Sequence, residues 1–114
     1  MELNNNPYLA GLELVKKNEG TSGQAAVAKC VLSLYHPQHG FSMAEILWGL
    51  DERYTGVIMG MVQAYGTHGE SEELRVAGRY VIEHFPNLVE LSDAALEARC
   101  AVQEEWRRRS NQRQ

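Results

Sequence analysis

Proline and cysteine, the residues that break helices and staple folds, are both scarce in this chain. Three prolines in 114 residues leave long stretches with nothing to interrupt a helical hydrogen-bond ladder. Two cysteines, at positions 30 and 100, are too few for a disulfide framework, so a reducing cytoplasm is the expected setting. The longest uncharged apolar run, VIMGMV at 57–62, falls far short of the roughly 20 residues that cross a bilayer. The opening MELNNNPYLAG has no basic stretch leading into an apolar one, so no signal peptide is read there. Motifs of chemistry are missing as well. The sequence contains no G-x-S-x-G elbow, no Lys-bearing phosphate loop and no H-E-x-x-H.

Cations are few over most of the length. Residues 1–106 carry 7 basic and 15 acidic side chains, a balance of −8, while 107–114, RRRSNQRQ, carry four arginines and no acid. An acidic body repels nucleic acid over its general surface. The terminal arginines are the exception.

What remains is a helical pattern within one domain. Asn6-Pro7 opens a first helix that ends in KKNEG. Thr21 with Gln24 reads as a capping box for a second, whose Val27, Cys30, Val31 and Leu34 share one face until Pro37 stops it. Ser42 with Glu45 is a second capping box, and that short helix breaks near Gly49. Asp51 caps the next helix, in which Tyr54, Val57, Ile58, Met61, Val62, Ala64 and Tyr65 form a wide apolar arc and nothing between Arg53 and His68 is charged. Gly56 and Gly60 in that helix are read as points of close approach. Ser71 caps a fifth helix that runs to Pro86. Ser92, with Leu91 and Leu96 as a staple, caps a sixth that frays into the arginine tail. The expected fold is all-α: a compact bundle of five or six short helices around a central apolar helix at about 54–65, spanning 1–106, with 107–114 a frayed basic tail.

The stretch TSGQAAVAKCVLSLYHPQHGFSMAEILWGLDERYTGVIMGMVQAY, residues 21–65, resembles a family of short, uncharacterised helical proteins of bacterial plasmids, prophages and integrated elements. The resemblance lies in the Gly-bearing cap before VAKCVLSLY, the turn, the aromatic at Phe41, and LWGLD leading into an apolar helix. It implies an accessory role in a mobile element and assigns no activity or site residue.

Three functional readings follow. The first is a non-enzymatic, protein-binding or regulatory module with an acidic helical surface, anchored by Trp48, Tyr80 and Trp106, that binds another protein or a second copy of itself. The second is a nucleic-acid contact through Arg107, Arg108, Arg109 and Arg113, with Trp106 as a stacking platform. The third is a small hydrolase or metal protein built on His36, His39 and His68. That reading is disfavoured because Cys-x5-His-x2-His is not the spacing of closely paired zinc ligands. Cys30 on an apolar stripe behaves as a small hydrophobe, and neither thiol has an activating neighbour. No cofactor or metal is expected. A helix-turn-helix over residues 41–62 is disfavoured too, because its second helix would begin with Asp51 and Glu52 where base and phosphate contacts need donors. A packed αα-hairpin is the simpler reading there.

Overall fold

The computed structural model describes residues 6–17, 20–36 and 38–112. Among these are six helices and no strand: α1 (Pro7–Lys17), α2 (Ser22–Tyr35), α3 (Met43–Leu47), α4 (Glu52–His68), α5 (Glu72–His84) and α6 (Pro86–Gln112). The all-α reading holds.

Side-chain caps set most of the helix starts. Asn6 Oδ1 accepts from the amides of Tyr8 and Leu9, at 2.9 and 3.2 Å. Ser42, Asp51 and Ser71 accept from the amides of Glu45, Tyr54 and Leu74. Each satisfies an amide that the helix itself leaves without a partner. Thr21 accepts from the Gln24 amide at 3.1 Å, as the capping-box reading requires. The Gln24 side chain, however, goes further than a box. Its Oε1 accepts from the Gly20 amide at 2.9 Å and its Nε2 donates to the Val15 carbonyl at 2.7 Å, so this buried amide ties the end of α1 to the start of α2. Glu45 likewise turns away from its box to pair with Lys29 on α2, at 3.1 Å.

α2 supplies the largest share of the core, burying Ala26, Val27, Ala28, Cys30, Val31 and Leu32. Around it pack α1 (Tyr8, Leu12, Val15), α4 (Ile58, Met61), α5 (Leu74, Ala77, Val81) and α3 (Ile46). The apolar stretch 54–65 lies in α4 and joins this core through Ile58 and Met61, with Tyr54, Val57, Val62, Ala64 and Tyr65 half-buried behind them. α3 lies against α2, so α3 and α4 do not form the packed hairpin expected from the sequence.

Close approach falls on other glycines than those read from the sequence. A Cβ at Gly56 would meet nothing within 4 Å, and at Gly60 it would meet only the Pro7 ring at an ordinary 3.5 Å. The crowded positions are Gly23, where a Cβ would lie 2.7 Å from the Tyr54 ring, and Gly78, pressed against the ring of Tyr35. These two glycines let α2 meet α4 and α5 across an aromatic ring.

The sixth helix departs furthest from expectation. It begins at Pro86, the first-turn position where a missing N–H costs nothing, and the Phe85 carbonyl accepts from the amides of Leu88 and Val89. Ser92 is therefore inside the helix and buried, not its cap, and Leu91 is 55% exposed, so no staple forms. The expected fraying at 107 is also absent: the helix continues through Gln112. Glu104–Arg107 and Glu105–Arg108 at i,i+3 and Glu105–Arg109 at i,i+4 support those last turns, with acids toward the N-terminus as the helix dipole favours.

At 1.5 Å per residue, the 27 residues of α6 make a rod of about 40 Å. The molecule measures 63 × 30 × 25 Å. Its radius of gyration is 16.3 Å, where about 13 Å suits a compact chain of this length. The excess is the free part of α6.

Candidate interaction surface

α6 is held at its base and free at its end. Leu88 and Val89 pack on the core. One turn on, the buried Ser92 Oγ shares a 2.6 Å hydrogen bond with His39 Nδ1, and Asp93 lies 3.9 Å from the same nitrogen. His39 belongs to the α2–α3 loop, which is tied back to α2 where the Phe41 amide donates to Ser33 Oγ at 3.2 Å. His39 is thus a strut for the last helix, with only 13% of its side chain exposed. Beyond Asp93 every residue of α6 is exposed apart from the half-buried Leu96.

A free helix of this length is marginal without partners for its apolar residues. The exposed part nonetheless carries Leu91, Ala95, Ala98, Val102 and Trp106, spaced so that they fall on one stripe. Val102 is 48% and Trp106 59% exposed. At α3, Trp48 follows the helix in an extended conformation before Gly49, whose φ of 73° suits glycine, and it stands 84% exposed. Tyr80 differs from the two tryptophans. It is half-buried, stacked on the His84 ring with centroids 3.9 Å apart, and covered by Lys16 Nζ at 5.1 Å. Tyr8 and Tyr35, other aromatics that could have served as anchors, are taken up by the core.

The terminal arginines are not an open cationic arm. Arg107, Arg108 and Arg109 each have a glutamate within reach on the preceding turn. The segment 104–109 holds three arginines against two glutamates, a small surplus for attracting phosphate. Arg113 lies outside the described residues.

The histidines do not converge. The His36 and His39 rings are 5.2 Å apart at the α2–α3 loop, whereas His68 lines a cleft of about 590 Å³ with Tyr8, Gln63 and Glu73. Among the described residues no group of three His, Cys, Asp or Glu side chains is placed to hold a metal ion. Burial pushes the Cys30 thiol up to about 12, so at neutral pH it is a protonated core side chain. Burial also raises Tyr8, whose hydroxyl is enclosed and finds no hydrogen-bond partner among the described residues. No described helix is long and apolar enough to cross a membrane. Comparison of the chain with protein-family models, with curated proteins and with solved structures returned no match.

Proposed function

We propose that the chain is a non-enzymatic, protein-binding module whose working element is the projecting part of α6. One observation carries this reading: beyond Leu96 every described residue of the helix is exposed, and the helix still presents Val102 and Trp106 to solvent on its apolar stripe. A helix-in-groove or helix-on-helix contact is the association mode such a stripe serves, and its aromatic end is the residue type that anchors interfaces. Trp48 offers a second anchor on the body. The resemblance of residues 21–65 to mobile-element proteins is the ground for an accessory role there. Two unpaired thiols suit a reducing, cytoplasmic compartment.

The nucleic-acid reading ranks below this one because Glu104 and Glu105 lie within reach of Arg107, Arg108 and Arg109 and leave only a small positive surplus there. The test is a comparison of full-length wild type with the Val102→Glu/Trp106→Ala variant as baits in lysate of the native host. Expected is a set of proteins held by wild type and lost by the variant, with helicity unchanged. An identical set on both baits would overturn the proposal. Retention of nuclease-sensitive material by wild type alone would transfer support to the arginine arm.

A further inference from the structure

We infer that the partner of α6 is a second copy of the same helix, lying antiparallel across a twofold axis. This rests on the proposal that α6 is the interaction element, and commits it to one occupant.

The first ground is spacing. Leu88, Leu91, Ala95, Ala98 and Val102 follow one another at intervals of three, four, three and four, the repeat that keeps a seam facing a neighbouring helix. Leu88 is half-buried at the base and the other four are exposed. The seam is self-complementary when read backwards. In an antiparallel pair centred between residues 96 and 97, Leu91 meets the partner's Val102 and Ala95 meets the partner's Ala98. The two copies then contribute the same contacts twice, as an isologous interface requires. The alanines at the centre allow close approach of the axes, toward the short end of the roughly 8–10 Å range of helix pairs. Trp106 arrives beside the partner's Leu88.

Charge selects the direction. From Pro86 to Ala98 the helix carries Glu90, Asp93 and Glu97 and no cation; from Arg99 to Gln112 it carries four arginines and two glutamates. A parallel pair would set acid beside acid and arginine beside arginine. The antiparallel pair lays each arginine-bearing end along the acidic start of the other, Arg107 lying one turn from the level of the partner's Glu90, beside a body whose balance over 1–106 is −8. It also opposes the two helix dipoles favourably.

The test is sedimentation equilibrium on the full chain from about 1 to 200 µM, the range that resolves a micromolar association. Expected is a rise toward twice 12.8 kDa, abolished by Val102→Glu with the circular dichroism spectrum unchanged. Direction is read by cross-linking. In a Cys100→Ser background, Leu91→Cys mixed with Val102→Cys should oxidise chiefly to the mixed disulfide. A monomer at every concentration, a dimer indifferent to Val102→Glu, or a preponderance of like-with-like disulfides would each overturn the inference. If the chain is monomeric but a host protein still protects α6 from exchange, this inference fails and the proposed function stands. If nothing covers α6, both fail.

Discussion

Replacing Gly78 by alanine would place a methyl carbon 2.5 Å from Cδ1 of Tyr35 and 2.7 Å from Cδ2, and closer still to Cγ. Comfortable carbon–carbon separation is about 3.5–4.0 Å, so the ring is roughly an ångström too near at several atoms. The obstruction is the root of the ring and not a flexible tip, and Tyr35 is itself packed against the core, so α2 and α5 must part or the ring must leave its rotamer. Overpacking of this kind costs about 1–3 kcal/mol, and the better helix propensity of alanine returns about 0.5–1 kcal/mol of it. For a domain of this size a net loss of about 1–2 kcal/mol lowers Tm by roughly 4–10 °C. Gly56 supplies the control: it lies in a helix, it is exposed, and an added methyl meets nothing within 4 Å. Gly56→Ala should therefore raise Tm by a few degrees, from the same propensity gain of about 0.5–1 kcal/mol. Thermal melts followed by circular dichroism read both. Combining Gly78→Ala with Tyr35→Ala should cost less than the sum of the two single changes, because the ring that clashes is gone. A neutral or stabilising Gly78→Ala, or a like response at both glycine positions, would refute the clash with Tyr35.

Tyr8→Phe should be neutral to stabilising by about 1 kcal/mol in urea titrations, because it removes an enclosed hydroxyl that bonds to nothing among the described residues; a loss above that size would mean the hydroxyl has a partner. The two thiols should react unequally with a disulfide reagent, Cys100 at once and Cys30 only on unfolding, since one is exposed and the other buried. The Cys30 thiol is raised from 9.0 to about 12 in the fold, so the unfolded chain ionises first. Its contribution is intact below pH 9 and declines between about pH 9 and 12, and a Cys30→Ala variant should lose less stability over that window than wild type. His39→Ala should cost about 1–3 kcal/mol by leaving the buried Ser92 hydroxyl without its loop partner, and should speed amide exchange across residues 86–93. Unchanged exchange there would deny His39 its role as a strut.

Caps were the most legible part of the sequence because they are local: Thr21, Ser42, Asp51 and Ser71 each act on an amide three residues on. Ser92 shows where that logic stops. It has the chemistry of a cap, yet its partner is His39, 53 residues earlier, and no local rule reveals that pairing. Without His39 the serine looks like a start, and with it the serine is a buried tie inside a helix already begun at Pro86. The same non-locality hid the crowded glycines, since Gly23 and Gly78 matter only because Tyr54 and Tyr35 lie over them. At the candidate site, residue type pointed to Trp48 and Trp106, whereas their exposure, and the enclosure of Tyr8, depend on how the helices pack. RRRSNQRQ, 107–114, reads first as a reversal of charge, and Glu104 and Glu105 stand just before it. Its i,i+3 and i,i+4 pairs, which carry the helix to Gln112, were equally visible in the letters.

Hydrogen exchange along α6, measured on the full chain at two concentrations, bears most directly on the claim that its outer half is unsupported by its own fold and waits for a partner. In dilute solution the amides of residues 100–112 should exchange far faster than those of α2, and raising the concentration should slow them while leaving α2 unchanged. Protection of 100–112 equal to that of α2 in the most dilute sample would contradict the account.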